Sequence, residues 1–135
     1  MSLFNIIDFS VLGDERGKLI ALETVKNVPF EIKRVYYIYD TEYNVARGFH
    51  AHHQLRQVAI CISGSCTVLM DDGMNKEEVI LNEPNKGLVI EPMQWHEMYN
   101  FSENCVLMVL ANDLYDEADY IRDYDEFKKL VNHDS

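Results

Sequence analysis

The sequence contains no long apolar run, since no stretch approaches the roughly 20 apolar residues that a membrane-spanning helix needs. Its first residues, Met1 to Asn5, also lack the basic start and the apolar run of a secretory signal peptide. These absences argue against a membrane protein and against a secreted one. We therefore expect a cytoplasmic protein that does not have a membrane as its partner.

Cysteine is scarce as well. The chain has three cysteines, Cys61, Cys66 and Cys105, and no two of them have the CxxC spacing. Cys61 and Cys105 lie in apolar runs, which is typical of buried reduced thiols rather than of disulfides or zinc ligands. The sequence assigns no function to these side chains.

Basic residues are outnumbered, with 12 Lys and Arg against 23 Asp and Glu and a formal net charge of −11. This balance argues against nucleic acid and anionic membrane as partners. The acidic residues concentrate between Asp113 and Asp134, where we expect a solvated surface and a terminal helix. One anionic small molecule remains compatible with the sequence, because basic residues recur earlier in the chain, at Arg16, Lys18, Lys33, Arg34, Arg47 and Arg56.

The pattern that is present is that of short strands. The 135 residues are enough for one domain, residues 1–135, with a core of its own. Short β-branched and aromatic runs alternate with turn-forming clusters, which predicts an all-β antiparallel sandwich or barrel, for example a jelly roll. The predicted strands are Leu19–Glu23, Lys33–Tyr39, Gly48–His52, Gln57–Ile62, Cys66–Met70, Glu78–Leu81, Gly87–Ile90, Glu97–Phe101 and Cys105–Ala111. A helix is predicted near the end, over Asp123–Val131, from apolar residues at helical spacing.

The main candidate for a functional site is the segment Arg47–His52. Side chains in a strand alternate between faces, so His50 and His52 point the same way, about 7 Å apart along the strand. Two imidazoles facing one space can hold a metal, or they can move protons on a small substrate. The spacing alone leaves both possibilities open.

The chain resembles the cupin barrels at two motifs, with departures in both. The first motif is matched by Gly48, His50, His52 and Gly64, but Gln57 stands where a carboxylate ligand is expected. The second is matched by Gly87, Pro92, His96 and Asn100, although Pro92 and His96 are one residue too close and the inner glycine is absent. Neutral Gln57 weakens the prediction of a metal, because a carboxylate would supply the charge that strengthens metal binding. A site made of His50, His52 and His96 remains possible.

A fuller resemblance, in family order along nearly the whole chain, is to the sugar-nucleotide 3,4-ketoisomerases. The matching stretches are Pro29–Ile38, Arg47–His52, Gly87–Pro92, Trp95–Met98 and Tyr115–Arg122. The resemblance implies a cupin-type jelly-roll barrel with a short C-terminal helix, and an isomerase acting on dTDP-4-keto-6-deoxyglucose. It also implies that no metal or other cofactor is used, that the protein is a homodimer with exchanged strands, and that the product leads to a 3-amino-3,6-dideoxy sugar.

The same resemblance assigns roles to individual residues. His50 and His52 become the catalytic acid/base pair, which suits a group with an ordinary pKa of about 6.5. Tyr36 and Arg47 are candidates to stabilise an enediolate, and Arg47 could instead bind the diphosphate. The remaining predicted substrate-binding residues are Arg16, His96 and Gln57. In the family, the positions of Arg16 and His96 vary with the C4 configuration of the product, and the pair found here looks like the branch that gives the galacto configuration.

Other interpretations of the sequence remain open. The chain could be a metal-dependent cupin, a related sugar-nucleotide epimerase, or a binding module without activity. Five of the candidate residues also have a purely structural interpretation: His50 and His52 as half-buried strand residues, His96 as a hydrogen-bonding residue of the barrel, Tyr36 as a core aromatic and Arg16 as a solvated charge.

Overall fold

The computed structural model describes residues 3–132, which form twelve strands and one α-helix. The strands are β1 (Asn5–Asp8), β2 (Leu12–Asp14), β3 (Gly17–Leu19), β4 (Arg34–Ile38), β5 (Arg47–His52), β6 (Gln57–Ser63), β7 (Cys66–Asp71), β8 (Lys76–Leu81), β9 (Lys86–Ile90), β10 (Trp95–Tyr99), β11 (Val106–Ala111) and β12 (Tyr120–Ile121). The helix α1 spans Tyr124–Asn132, and a 3-10 turn spans Glu117–Asp119. No helix among these residues is long and apolar enough to cross a membrane.

Two antiparallel five-stranded sheets make up the barrel. One has the order β1-β9-β6-β11-β4 and the other the order β12-β5-β10-β7-β8. Their inner faces pack together, since Ala59, Leu88 and Leu107 of the first sheet share one buried cluster with Met70 and Met98 of the second. Burial of each large apolar side chain contributes about 1.5–3 kcal/mol to folding, so this cluster holds the sheets together. The prediction of an all-β jelly roll is confirmed.

The predicted strands and helix are found, with one clear error. Leu19–Glu23 was expected to be a strand, but the strand in this region is β3, Gly17–Leu19, and β2 is its one partner among the described strands. Gly13 and Gly17 have φ of +130° and +142°, which lets the chain turn tightly into a hairpin before residue 19. Leu19, the first residue of the predicted strand, therefore belongs to this hairpin instead. The short strands β1 and β12 were not predicted.

The C-terminal helix closes one flank of the second sheet. Asp123 precedes it, and its side chain accepts a hydrogen bond from the backbone N–H of Asp125 at 2.9 Å, which is the usual way of capping a helix start. Phe127 is fully buried against Trp95 and Ile121. Trp95 is thus a packing residue, and its indole N–H donates to Glu97 at 2.9 Å.

Candidate active site

A bulge in β5 aims the two motif histidines into the barrel. His50 pairs with His96 of β10, whereas Gly48 pairs with the next residue, Glu97, so Phe49 is the extra residue. Gly48 has φ of +94°, and a Cβ there would lie 2.9 Å from the carbonyl oxygen of His96. Only glycine fits this close approach, which explains why the motif needs it.

Three imidazoles meet at this end of the barrel. The ring centroid of His50 lies 5.0 Å from that of His52 and 4.5 Å from that of His96. Their potential ligand atoms all lie within 4.8 Å of one another. His52 and His96 are buried and His50 is half-buried. The predicted placement of His50 and His52 on one face is correct, and β10 brings His96 to the same point.

Burial decides the protonation of this cluster, because a buried imidazole loses the hydration that stabilises its charge. Burial lowers the pKa of His50, and burial together with the neighbouring His50 lowers the pKa of His52. The effect is largest for His96, where burial lowers the pKa to about 3. All three rings are therefore neutral at pH 7, and a neutral imidazole can both accept and donate a proton.

The segment before α1 covers the histidines. Asp119 Oδ2 lies 3.3 Å from His52 Nδ1, an ion-pair distance, although neither ring nitrogen of His52 has a partner in hydrogen-bond geometry. The Asp119 carboxylate is fixed by the backbone N–H groups of Gln54 and Leu55, at 2.9 and 3.1 Å. The ring of Tyr120 lies 4.9 Å from His50 and 4.3 Å from His52.

Asp119 and Tyr120 were missed by the sequence analysis, which assigned the late acidic run to a solvated surface. That expectation is wrong for Asp119, because β12 pairs with β5 and carries the carboxylate to His52. The available signal was the match of Tyr115–Arg122 to the ketoisomerases. It marked the segment as characteristic of the family without indicating which side chain faces the site.

Tyr36 and Gln57 form a hydrogen-bonded pair beside the histidines. The Tyr36 hydroxyl donates to Oε1 of Gln57 at 2.6 Å, and Gln57 is buried. Burial raises the pKa of Tyr36 to about 12, so the phenol keeps its proton. Gln57, which stands where a cupin metal site has a carboxylate ligand, thus has its side-chain oxygen hydrogen-bonded to the Tyr36 hydroxyl.

Arginines line the cavity next to His50. This cavity, of about 340 Å³, is bounded by His50, Tyr36 and three guanidinium groups, those of Arg34, Arg47 and Arg122. A second cavity of about 150 Å³ lies on the other side of Arg34 and is lined by His52 and Asp119. An acidic protein thus has a cavity lined by cations, to which Arg34, Arg47 and Arg122 contribute and Arg16 does not.

The three arginines differ in their partners. Arg122 is paired with Glu117, with Nε 2.7 Å from a carboxylate oxygen. Arg34 has no ion-pair partner in the described chain, and its buried Nε has no hydrogen-bond acceptor. Its guanidinium lies 5.2 Å from the ring of Tyr36. A half-buried guanidinium with a buried, unpartnered Nε and no counterion carries a desolvation cost, so this position is suited to an anion supplied from outside.

Three predicted residues line neither cavity, namely Arg16, His96 and Gln57. Arg16 is at the tip of the β2–β3 hairpin, where its side chain is 86% exposed and pairs with Asp14 at 2.7 Å. His96 stands behind His50, with Nδ1 3.3 Å from the carbonyl oxygen of Gln94, and lines neither cavity. Of the predicted set, the fold thus joins His50, His52, His96, Tyr36, Gln57 and Arg47, and leaves Arg16 apart.

One set of nitrogen donors could hold a metal ion in the described chain, namely the three imidazoles. The nearby oxygen ligands are already engaged, because Gln57 Oε1 accepts from Tyr36 and the Asp119 carboxylate accepts from two backbone N–H groups. The arrangement is equally suited to proton transfer, since neutral imidazoles face a cavity that also presents cations.

Together, the fold and the site define a cupin-type barrel with three neutral imidazoles beside an arginine-lined cavity. The family model described as "FdtA: WxcM-like, C-terminal" matches residues 2–132. The chain belongs to this family.

Relatives cover almost the whole chain. A protein of Aneurinibacillus thermoaerophilus named TDP-4-oxo-6-deoxy-alpha-D-glucose-3,4-oxoisomerase is 55% identical over 126 residues, which are 93% of this chain and 91% of that protein. The crystal structure of a 3,4-ketoisomerase from Helicobacter canadensis is 52% identical, with a TM-score of 0.94, and the match covers 98% of this chain and 99% of that one.

A third relative has been solved with a sugar nucleotide. A mutant of the 3,4-ketoisomerase QdtA from Thermoanaerobacterium thermosaccharolyticum, in complex with TDP-4-keto-6-deoxyglucose, is 39% identical with a TM-score of 0.95. The match covers 98% of this chain and 96% of that chain. The resemblance to the sugar-nucleotide 3,4-ketoisomerases is confirmed.

Proposed function

We propose that this protein converts dTDP-4-keto-6-deoxyglucose into its 3-keto isomer. The observation that carries the proposal is the pair of neutral imidazoles, His50 and His52, beside a cavity lined by arginines. The names of the relatives favour a shift of the ketone over epimerisation and over binding without turnover.

The reaction needs a base, an acid and a way to hold charge. Removal of the C3 proton gives an enediolate, and return of a proton to C4 leaves the ketone at C3. His50 lines the larger cavity, so it is our candidate for the carbon proton. His52 faces the smaller cavity with Asp119 at 3.3 Å, which suits it to moving a proton between the two sugar oxygens.

The developing enediolate charge requires donors that are already in place. Arg34 fits this role, because it lies between the two cavities with an unpaired, buried Nε. The Tyr36 hydroxyl is a second donor once it turns from Gln57. Arg47 and Arg122, at the edge of the same cavity, are suited to the diphosphate, since guanidinium groups pair well with phosphate oxygens.

We propose that this chemistry proceeds without a metal. Neutral imidazoles accomplish both proton transfers, and Gln57 is engaged with Tyr36 rather than free to act as a ligand. The proposal predicts full activity after treatment with EDTA. Activity that is lost with EDTA and restored by iron, manganese or zinc would favour the alternative of a metal-dependent cupin.

A homodimer with exchanged strands is the proposed assembly. The outer face of β4 exposes Val35 and Tyr37, at 52% and 63%, and β6, two strands away in the same sheet, exposes Ile62 at 45%. The β2–β3 hairpin pairs with no other strand in the described chain and is exposed throughout. Docking of this hairpin on a second copy would carry Arg16 towards that copy's cavity, where it could act with His96 to favour the galacto product.

The direct test is NMR of EDTA-treated protein with dTDP-4-keto-6-deoxyglucose in deuterated water. We expect a 3-keto product that carries deuterium at C4, and its coupling constants report the C4 configuration. Loss of the C3 proton with the ketone still at C4 would instead favour an epimerase. Nucleotide binding without any exchange would favour a binding module.

Two variants test the assignment of the histidines. His50→Asn and His52→Asn should each abolish turnover while the fold and the affinity for dTDP are retained. Rates like those of the wild-type protein in both variants would rule out the acid/base assignment.

A further inference from the structure

Three cysteine side chains meet inside the barrel, away from the histidines. Cys61 lies on β6, Cys66 begins β7, and Cys105 immediately precedes β11. Their sulfurs all lie within 4.8 Å of one another, and the Sγ atoms of Cys61 and Cys105 are 3.6 Å apart. The exposed fractions are only 1%, 1% and 2%, and all three thiols are free. The fold thus assembles a three-sulfur cluster from distant parts of the sequence.

This cluster is separate from the active site. Cys61 is four residues along β6 from Gln57, which at about 3.3 Å per residue is about 13 Å. Cys66 is likewise four residues along β7 from Met70, the residue that pairs with His96. Between the two clusters lie apolar side chains, including Ala59, Met70 and Leu88. A ligand on the sulfurs would not touch the imidazoles.

Sulfur is the only side-chain donor that the cluster offers. The three cysteines form a candidate donor group that includes no histidine or carboxylate from the described chain. Their buried neighbours are apolar, among them Phe101 and Leu107. Such a site suits a thiophilic atom that is three-coordinate, whereas structural zinc is four-coordinate.

The size of the cluster fits such a centre. Three sulfurs bonded to one atom at about 2.3 Å, the usual zinc–thiolate length, are about 3.5–4.0 Å apart for bond angles between pyramidal and planar. The Cys61–Cys105 separation of 3.6 Å already falls within this range. The other separations, which are at most 4.8 Å, need only small movements of the side chains.

Charge narrows the choice of ligand. A net charge in an apolar interior is costly, so a neutral complex is preferred. Hydrogen bonding from Cys66 lowers the pKa of the Cys61 thiol, while the pKa values of Cys66 and Cys105 are raised, the first by its hydrogen bond to Cys61 and the second by burial. Three free thiolates are therefore unfavourable. Three thiolates around a divalent ion keep a negative charge, and around a trivalent centre they keep none.

We propose that Cys61, Cys66 and Cys105 form a binding site for a trivalent thiophilic centre of the arsenite class. Arsenous acid is uncharged, and each of its three As–O bonds is replaced by an As–S bond. Each thiol proton leaves with a hydroxyl group as water, so three waters are released and no oxidation state changes. The product is neutral and three-coordinate, as the apolar surroundings and the donor set require.

The test is to load the reduced full-length protein with sodium arsenite, both in the folded state and during refolding from urea. Native mass spectrometry should show one arsenic gained and three protons lost, and the melting temperature should rise with arsenite concentration. X-ray absorption of the wild-type complex should show three As–S bonds. An As–O bond remaining on the bound arsenic, no retention of arsenic in either protocol, or zinc bound in its place would overturn the proposal.

Single Cys→Ala variants at the three positions provide the matched controls. Each should lose the tightly held arsenic while it keeps the ketoisomerase activity, because the active site is about 13 Å away. If all three variants bind arsenic as the wild-type protein does, arsenic binds at another site. If an alanine variant does not fold, the count of As–S bonds in the wild-type protein still decides the outcome.

Discussion

The buried, neutral state of His96 predicts a specific loss of stability in acid. Its pKa is lowered from 6.5 to about 3, so the unfolded chain takes up a proton before the folded protein does. Stability is therefore complete above about pH 6.5 and falls as the pH decreases towards 3. One pH unit corresponds to about 1.4 kcal/mol, so at pH 5 this single group destabilises the folded protein by about 2 kcal/mol relative to pH 7.

Replacement of His96 by Asn should remove this contribution. The Asn amide can take the place of Nδ1 near the Gln94 carbonyl, and it does not titrate. The assay is urea unfolding followed by circular dichroism at pH 7 and pH 5, at constant ionic strength. The free energy of unfolding should drop between these pH values by about 2 kcal/mol less in His96→Asn than in the wild-type protein.

The comparison uses the change with pH, so it is insensitive to any uniform cost of the substitution. His53→Asn is the matched control, because His53 directly follows β5, the strand that pairs with β10, but is exposed. This control should behave like the wild-type protein. Equal pH-dependent losses in His96→Asn and in the wild-type protein would mean that His96 is not held neutral by burial, and the account of the cluster would fail.

Further predictions concern catalysis and packing. Asp119→Asn should lower kcat by about 100-fold or more. It should also shift the acid limb of the kcat/KM profile to lower pH, because Asp119 raises the pKa of His52. An unchanged pH profile would mean that Asp119 has only a structural role. Arg34→Met should lower kcat by about 100-fold with little change in the dTDP affinity measured by calorimetry. Arg47→Met should instead mainly weaken dTDP binding. The opposite pattern would mean that Arg47 stabilises the enediolate and that Arg34 binds the diphosphate. Gly73→Ala should lower the free energy of unfolding by about 1–2 kcal/mol in a denaturant titration, because φ is +95° and the new Cβ would lie 2.2 Å from a methyl carbon of Val131; an unchanged value would mean that the helix shifts freely.

The sequence predicted the parts of this protein that depend on local patterns. Strands with apolar periodicity were found within a few residues, and the same-face placement of His50 and His52 followed from strand geometry alone. The bulge at Phe49 could not be read from that pattern, because it depends on the close approach of Gly48 to β10. The early hairpin was missed for a similar reason, since its position depends on two glycine dihedral angles.

Long-range pairing accounts for what the sequence could not supply. Asp119 lies 64 and 65 residues along the chain from the backbone groups that fix its carboxylate, and no periodicity links the two segments. The cysteine cluster has the same origin, since Cys61 and Cys105 are 44 residues apart yet in contact. Such contacts follow from the order of strands in the sheets, which is a property of the whole barrel.

The local charge of the site explains how a protein with a net charge of −11 can hold a sugar nucleotide. Three guanidinium groups, from Arg34, Arg47 and Arg122, face the larger cavity. Within residues 3–132, only Arg122 of the three has an ion-pair partner, which is Glu117. The three imidazoles add no charge at neutral pH, and Gln57 adds none where a carboxylate would have stood. The cavity therefore keeps an excess of positive charge for a diphosphate and for a transient enediolate. A carboxylate at position 57 would cancel part of that excess beside Tyr36. The neutral amide of Gln57 therefore has two effects: it makes metal binding less favourable, and it leaves the positive charge available for an anionic substrate and enediolate.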